Sequence, residues 1–485
     1  MVRKQVEVAI IGAGFSGVGM AIRLKQAGIN SFVLVEKAED VGGVWRENTY
    51  PGAACDAPSH LYSFSFEPHF NWSRRFAPQS EILAYIRHCA KKYGILPHIR
   101  FASSVQSAEF NETTNAWEIH LENGCVYEAK FLLPAVGQLH QPKFPDLSGR
   151  EQFRGRQFHS AEWNHSCDLT GKNVAVVGTG PSAVQIVPAI VGKARTVHVF
   201  QRSPGHVRPK ADRPYSEFEH KLFRYVPLLR KIDRALQFCQ NELRYRAFNS
   251  KRLNEAQQEA FRQELERTVT DPVLRRQLTP DYPVGCKRVL PSNDWYPALL
   301  EGNCTLVNTP IQQIVPDGVE TADGEVWKSD IIIYATGFRT TEFLSSLTVI
   351  GRNGQRLDET WKGGAEAHRG VAVSGFPNMF ILYGPNTNLG HSSVIYMIES
   401  QARYILKCIR KLRRRRVSRI EVTPRAQERY NAWLRERLDR SVWYLGGCTS
   451  WFKNEAGKVV TNWPGFSFEY RNRMRWVRLK EYELD

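Results

Sequence analysis

The chain reads VEVAIIGAGFSG at residues 6–17. The continuous apolar run at 6–11 predicts a buried strand, and the glycines that follow predict a tight turn. Apolar residues then recur with helical spacing from Val18 to Ala27, and Gly28 is typical of a helix end. Residues 31–35 predict a second strand. This stretch therefore predicts a strand–turn–helix–strand unit.

The glycines of this unit have the spacing Gly-x-Gly-x-x-Gly, which in such a context is the dinucleotide-binding fingerprint. Gly12 would make the turn, Gly14 would let the backbone approach a pyrophosphate, and Gly17 would let helix and strand pack closely. Glu36 follows the second strand, where a carboxylate can accept hydrogen bonds from a ribose. We predict a first dinucleotide site at these four residues.

The same pattern recurs at residues 173–200, with strands at 173–177 and 196–200 and a helix from Val184. The second strand ends in Gln201-Arg202-Ser203, without an acid. An arginine there suits the 2′-phosphate of NADP better than a free ribose hydroxyl. We therefore predict a second site, formed by Gly178, Thr179, Gly180, Ser182, Ala183, Arg202 and Ser203.

Residues 212–280 contain no glycine and are rich in charged and aromatic residues, which predicts a helical insertion. The expected fold is α/β, with two Rossmann-like dinucleotide-binding domains and this insertion in the second. The predicted segments are 1–145 and 146–211 for the first parts of the two domains, 212–280 for the insertion, 281–340 for the second part of the second domain, and 341–485 for the return to the first domain.

Two longer motifs carry a resemblance to a known family. Residues 153–163, FRGRQFHSAEW, match Phe-x-Gly-x-x-x-His-x-x-x-Trp, and residues 43–56 match a second long pattern that ends in Asp56. With the two dinucleotide units, these motifs resemble the type I Baeyer–Villiger monooxygenases, which are class B flavoprotein monooxygenases. The resemblance covers nearly the whole chain. It implies FAD in the first site and NADPH in the second.

This resemblance also implies the activity and the catalytic residues. NADPH would reduce FAD, and a C4a-peroxyflavin formed with O2 would insert one oxygen atom into a ketone to give an ester or lactone. Arg288, in the segment Gly285-Cys286-Lys287-Arg288, would supply the fixed cation that the anionic oxygen species needs, with Asp56 as its carboxylate partner. The expected substrates are O2 and a small hydrophobic ketone or thioether.

Further site residues follow from the same resemblance. Lys287 would join Arg202 on the NADP phosphate, and Trp451 would close on NADP and substrate from a mobile loop at 445–465. His159 would tie the domains together rather than transfer protons. Independently of the resemblance, the loop at residues 383–393 runs into a helix predicted from Val394, and this loop could point the helix N-terminus at the flavin. The expected FAD contacts also include Ser16, Gly43, Val44, Trp45, Asp56, Tyr62 and Val105.

The formal net charge is +17. Its densest run, Lys411 with Arg413 to Arg416, closes an apolar-periodic segment, which is typical of a solvated helix C-terminus, so nucleic-acid binding is not expected. The segment 221–231 could be an amphipathic surface helix, which leaves a peripheral membrane contact open.

Nine cysteines are scattered along the chain, and no Cys-x-x-Cys occurs. This pattern argues against a disulfide framework, a zinc site and a dithiol redox centre. No metal is expected, and a cytoplasmic location fits a reducing compartment and the lack of a long apolar run.

Three alternatives stay open at this point. A class B flavin monooxygenase that oxidises sulfur or nitrogen is opposed only by Trp163, because related heteroatom-oxidising enzymes usually have Tyr or Phe there. A flavin-dependent disulfide reductase is disfavoured by the missing Cys-x-x-Cys. A basic non-catalytic protein that binds nucleic acid or an anionic membrane is supported only by the charge.

Overall fold

The computed structural model describes residues 3–69 and 71–485. The first part contains β1 (Arg3–Ile11), α1 (Phe15–Gln26), β2 (Phe32–Val35), α2 (Val44–Glu47), α3 (Gln79–Lys92), β3 (Ile99–Arg100), β4 (Val105–Asn111), β5 (Ala116–Leu121) and β6 (Val126–Pro134). The middle part contains β7 (Arg156–His159), β8 (Asn173–Val177), α4 (Ala183–Ile190), β9 (Thr196–Phe200), β10 (Val207–Arg208), α5 (Glu217–Tyr225), α6 (Pro227–Tyr245), α7 (Lys251–Thr268), α8 (Pro272–Leu278), β11 (Leu290–Pro291), α9 (Trp295–Leu299), β12 (Cys304–Val307), β13 (Ile311–Val315), β14 (Gly318–Thr321), β15 (Val326–Lys328) and β16 (Ile331–Tyr334). The last part contains β17 (Thr348–Ile350), α10 (Leu357–Thr360), α11 (Val394–Arg415), β18 (Ile420–Val422), α12 (Pro424–Asp439), α13 (Val442–Leu445), α14 (Ser467–Arg473) and β19 (Tyr482–Leu484).

The first sheet has seven strands in the order β17-β4-β5-β6-β1-β2-β3. Strands β6, β1, β2 and β3 are parallel, whereas β4, β5 and β6 form an antiparallel meander. Residues 8–10 of β1 are fully buried, because both faces of the sheet are covered. The predicted strand, turn, helix and second strand are all present here.

The second sheet has five parallel strands in the order β12-β9-β8-β16-β7. Strands β8 and β9 have the predicted bounds, and α4 connects them. The α/β fold with two Rossmann-like units is therefore confirmed. Sequential parallel strands with a helical crossover place both glycine turns at the carboxyl ends of their sheets, where such folds bind ligands.

The two glycine turns obey the same steric constraint. Gly12 has a φ of +102° and Gly178 a φ of +108°. A Cβ at Gly12 would lie 2.9 Å from the Ala135 carbonyl oxygen, and one at Gly178 would lie 2.7 Å from that of Ala335. Each first strand thus turns against the end of a neighbouring strand, and only glycine fits.

The insertion carries helices α5 to α8 over residues 217–278. Its longest helix, α6, docks on other parts of the chain through buried and half-buried polar groups. Glu242 of α6 accepts hydrogen bonds from the N–H and hydroxyl of Ser467, at 2.8 and 2.5 Å. Asp233 contacts His60 at 2.7 Å, and Arg234 donates to the Ser63 carbonyl at 3.1 Å. Because such groups lose water on burial, these contacts set the position of α6.

The opposite face of α6 is apolar and exposed, with Leu228, Leu236 and Leu243 exposed by 64%, 58% and 61%. No helix among residues 3–69 and 71–485 is long and apolar enough to cross a membrane.

The basic run at 411–416 lies at the end of α11, where Arg413 donates to Glu7 at 2.8 Å. Its interpretation as a helix C-terminus is confirmed.

We predict that Gly17→Ala destabilises the chain by about 1–3 kcal/mol or more, because overpacking a tight contact forces the backbone apart. A Cβ at Gly17 would lie only 1.8 Å from the Gly12 carbonyl oxygen. Urea unfolding measures the effect. The control is Gly192→Ala, where the added methyl group meets no atom within 4 Å. Equal stability of the two variants would contradict the close contact.

Candidate active site

Asp56 and Arg288 form an ion pair between segments that are 232 residues apart. The Arg288 Nε and Nη2 donate to Asp56 Oδ2 at 2.9 and 2.5 Å. Their side chains are 30% and 26% exposed. The structure thus brings together the two residues predicted to be catalytic, in a half-buried place that solvent can still reach.

The charges around the pair favour its ionised form. Burial opposes ionisation of Asp56, but the positive charge and hydrogen bonds of Arg288 outweigh it, so the pKa of Asp56 is lowered. The Asp56 charge raises the pKa of Arg288. Lys210 and Arg208 also act on Asp56, which places two further cations nearby.

Gln185 of α4 holds the segment that carries Asp56. Its side chain accepts from the Ala54 N–H at 3.3 Å and from the Tyr50 hydroxyl at 3.2 Å, and it donates to the Ala54 carbonyl at 3.0 Å. A Cβ at Gly52 would lie 2.5 Å from the Gln185 carbonyl oxygen. The helix that follows the second glycine turn therefore positions a loop of the first domain.

Glu36 lies at the end of β2 against the first glycine turn and is only 5% exposed. It accepts from the N–H groups of Ala13 and Ala38 at 2.7 and 3.1 Å and pairs with Arg46 at 3.3 Å. These contacts orient Glu36. Because a carboxylate accepts several hydrogen bonds, Glu36 can still accept a further hydrogen bond from a ligand.

Most of the other residues predicted for the first site lie close to the same turn. A Cβ at Gly43 would lie 3.2 Å from the Gly14 Cα, so the two backbones touch. Val44 begins α2, and the Trp45 indole donates to the Tyr62 hydroxyl at 3.1 Å. Ser16 lies in the first turn of α1, and Val105 begins β4.

The second site has two cations at the end of β9. The Lys287 ammonium contacts the Ser203 hydroxyl at 2.5 Å, and the Thr179 hydroxyl donates to the Ser203 carbonyl at 3.3 Å. Burial lowers the pKa of Lys287, and the charge of the neighbouring Arg202 lowers it further. Two like charges held together favour an anionic ligand.

Both glycine turns leave room for such a ligand. Among the described residues, no side chain caps the N-terminus of α1 or of α4, which begin after Gly14 and Ser182. A Cβ at Gly180 would meet no atom within 4 Å. Free N–H groups at a helix start, next to an open glycine, fit a pyrophosphate.

The start of α11 has a related feature. In the part of the chain that the structure describes, the buried hydroxyl oxygens of Ser392 and Ser393 have no hydrogen-bond partner. Ser393 is the N-cap of this 22-residue helix, which packs against α1. Unpartnered buried hydroxyls beside a helix start fit a polar ligand at this place.

Trp451 lies in the segment 445–465 and packs on Phe452, with ring centroids 4.5 Å apart. Its carbonyl accepts from the Thr340 hydroxyl at 2.7 Å.

His159 is fully buried, and burial lowers its pKa to about 4. A neutral, buried histidine packed between Phe144 and Phe338 fits a structural role.

Three contacts lay beyond the sequence analysis. Cys286 and Cys448 form a disulfide, although the scattered cysteines argued against a disulfide framework. Their separation of 162 residues carries no signal that sequence spacing could reveal. The Gln185 contacts were also missed, as was the position of Tyr383 near the ion pair. Burial raises the pKa of Tyr383, and the positive charge of Arg288 only partly opposes this. The turn-rich stretch at residues 384–390, which precedes the helix predicted from Val394, is the sequence signal that points to this loop.

The fold defines a class of oxidoreductases with two Rossmann-like dinucleotide-binding units, and an ion pair connects segments from the two parts of the chain. A family model described as pyridine nucleotide-disulphide oxidoreductase matches residues 9–217. A Baeyer-Villiger monooxygenase of Streptomyces coelicolor is 43% identical over 100% of this chain and 93% of that protein. One of Pseudomonas aeruginosa is 42% identical over 99% of this chain and 92% of its own length. The chain belongs to the Baeyer–Villiger monooxygenase family.

Solved structures agree with this family. A crystal structure of OTEMO in complex with FAD and NADP has a TM-score of 0.90 at 28% identity and covers 99% of both chains. A closed crystal structure of cyclohexanone monooxygenase has a TM-score of 0.90 at 27% identity and covers 100% of both. The resemblance drawn from the motifs is confirmed, and the chain is a flavin-dependent monooxygenase rather than a non-catalytic basic protein.

We predict that Asp56→Asn lowers the free energy of unfolding by about 1.5–3 kcal/mol at neutral pH, the range for hydrogen bonds to charged groups. The pKa of Asp56 is lowered in the folded state. Its stabilisation is therefore complete above the unfolded pKa of about 4 and is lost as the pH falls through the folded value.

Denaturant unfolding of both proteins at several pH values measures this difference. Asp317→Asn is the control, because its pair with Arg154 is 69% and 77% exposed and contributes little. A difference between wild type and Asp56→Asn that stays constant down to strongly acidic pH would refute the ion-pair contribution.

Proposed function

We propose that this chain is an FAD- and NADPH-dependent monooxygenase that inserts one oxygen atom from O2 into a small hydrophobic ketone to give an ester or lactone. The observation that carries this proposal is the Asp56–Arg288 pair, at 2.9 and 2.5 Å, between the two dinucleotide units. Family membership and the FAD and NADP in the OTEMO structure support it.

We propose the first glycine turn for FAD and the second for NADPH. Arg202, Ser203 and Lys287 would hold the 2′-phosphate, because two cations and a hydroxyl lie together there. The remaining second-site residues are Gly178, Thr179, Gly180, Ser182 and Ala183. For FAD we propose Gly12, Gly14, Ser16, Gly17, Glu36, Gly43, Val44, Trp45, Asp56, Tyr62 and Val105.

Bound FAD, once reduced by NADPH, supplies activated oxygen. The protein must then stabilise negative charge and exclude water. The Arg288 guanidinium keeps its charge at working pH and stabilises the oxyanion that develops on the attacked ketone oxygen. Asp56 accepts hydrogen bonds from two N–H groups of Arg288 and so fixes the orientation of the guanidinium. Asp56 is therefore a positioning residue as well as a catalytic-site residue.

Trp451 is proposed to cover the site from the segment 445–465 and keep water out during the reaction.

We further propose the domain division stated above: FAD-binding parts at 1–145 and 341–485, NADP-binding parts at 146–211 and 281–340, and the insertion at 212–280. The exposed apolar face of α6 supports a contact with a hydrophobic substrate or an anionic membrane surface. A cytoplasmic location is part of the proposal.

The function is tested with purified protein, NADPH, O2 and a panel of ketones and thioethers, with mass-spectrometric detection of products. We expect a yellow protein that releases esters or lactones with one added oxygen atom. Labelled O2 should place a single labelled atom in the product. Sulfoxides alone would favour the second candidate, an enzyme that oxidises sulfur or nitrogen, and a protein without flavin would overturn the proposal.

We predict that Arg288→Ala lowers the rate of ketone oxygenation by roughly 10²–10³-fold, the usual loss for one oxyanion donor. Anaerobic reduction of the flavin by NADPH should change much less, because Arg288 acts on the oxygen transfer. Stopped-flow absorbance separates the two steps. Arg252→Ala on exposed α7 is the control, and an equal fall in both steps would argue for a general binding role instead.

A further inference from the structure

Cys286 and Cys448 lie within bonding distance, with their Cα atoms 6.2 Å apart. Cys286 is fully buried, whereas Cys448 is half-buried. Disulfides are rare in reducing compartments, where those that form are usually transient and respond to oxidants. A buried thiol paired with a more accessible one is therefore suited to reversible oxidation.

The two cysteines join the parts of the chain proposed to carry out and to cover the reaction. Cys286 lies two residues before Arg288, and Cys448 lies three residues before Trp451. Three residues span at most about 11 Å, so a bond at Cys448 restricts how far Trp451 can move from the Arg288 segment.

The backbone around Cys448 is shaped for this contact. A Cβ at Gly446 would lie 2.6 Å from the Cys286 sulfur, so only glycine lets the chain pass so close. Gly447 has a φ of +67°, which marks a turn just before Cys448. Beyond the turn, residues 450–460 fold back on themselves, with Asn454 and Lys458 hydrogen-bonded at 3.0 and 2.9 Å.

We propose that Cys286 and Cys448 form a redox-sensitive site that locks the segment 445–465 against the Arg288 segment when oxidised. The functional part of this inference rests on the proposed function, because it needs that segment to cover the NADP site. The reduced pair leaves the segment free to open, and the disulfide ties it closed.

The oxidant is hydrogen peroxide, which a flavin oxygenase releases when NADPH oxidation is not coupled to oxygen transfer. The Cys448 thiolate attacks the peroxide, the O–O bond breaks, and a sulfenic acid and hydroxide form. The Cys286 thiol then displaces water from that sulfur, which completes the S–S bond. Two thiols lose two electrons and two protons, and one peroxide becomes two waters. A dithiol reductant reverses the change.

This chemistry would act as feedback on leakage. Peroxide released by an open site oxidises the pair, and the tied segment then excludes water and slows the exchange of NADP. Oxidised enzyme should therefore turn over more slowly and release less peroxide per NADPH than reduced enzyme.

The covalent test needs no turnover. Holoenzyme is reduced with a dithiol, freed of it, exposed to hydrogen peroxide, alkylated, and analysed by peptide mass spectrometry. We expect a linked peptide pair containing Cys286 and Cys448, with Cys239 still alkylated. Alkylated Cys286 and Cys448 in the peroxide-treated sample would overturn the proposal.

The conformational test compares trypsin cleavage after Lys453 and Lys458 in oxidised and reduced holoenzyme. Reduction should speed this cleavage by roughly tenfold, because local opening is no longer restricted, while cleavage after Arg252 stays unchanged. Cys448→Ser should behave like reduced enzyme in both states, and Cys239→Ser should behave like wild type. Equal cleavage in all states would overturn the lock.

The functional test measures dissociation of NADP+ and the peroxide released per NADPH in the same samples. We expect NADP+ to dissociate more slowly from oxidised wild type, and less peroxide to be released per NADPH. Neither change is expected in peroxide-treated Cys448→Ser. If the disulfide forms and protects the segment but these rates do not change, the link between the lock and the proposed function is wrong. If the protein binds no flavin or NADPH, the proposed function fails instead.

Discussion

The Asp56–Arg288 ion pair is the contact on which the arrangement of the site depends. A half-buried guanidinium without a carboxylate would be costly, and a mobile one could not meet a developing oxyanion. The carboxylate comes from the loop that follows α2 and the guanidinium from the segment before β11, so the pair forms only when these distant segments pack together. Gln185 of α4 supports this placement, because it holds the loop that carries Asp56.

Residues 285–288 concentrate four separate contacts in four consecutive positions. A Cβ at Gly285 would strike the Phe248 ring at 2.7 Å, Cys286 bonds Cys448, Lys287 contacts Ser203, and Arg288 pairs with Asp56. This segment therefore connects four parts of the chain: the end of α6, the C-terminal segment, the end of β9 and the loop after α2. Because these four contacts come from consecutive residues, a small shift of the backbone at 285–288 would disturb all four contacts together.

The two strand–turn–helix–strand units have glycine turns of the same geometry, but they differ in charge at the end of their second strand. Gly12 and Gly178 are constrained by the same approach to a neighbouring strand end, so the backbone at each turn is equivalent. Glu36 ends the second strand of one unit, whereas Arg202, with Lys287, ends that of the other. This opposite charge supports our proposal that the first turn receives FAD and the second NADPH, because a carboxylate suits a ribose hydroxyl and cations suit a 2′-phosphate.

The sequence by itself determined the two strand–turn–helix–strand units, the helical character of residues 212–280, and the candidate residues Asp56, Arg288, Arg202 and Lys287. The two units, the insertion and Arg202 follow from local signals, because glycine spacing and apolar periodicity reflect backbone geometry over a few residues. Asp56, Arg288 and Lys287 are implied by the resemblance of their segments to a known family. The family resemblance had already implied that Asp56 meets Arg288, and the tertiary structure added the geometry of that pair. Only the tertiary structure decided three other long-range contacts: Gln185 with the 50–54 loop, Glu242 with Ser467, and Cys286 with Cys448. Such contacts depend on how separate elements pack, and no spacing within the chain records that.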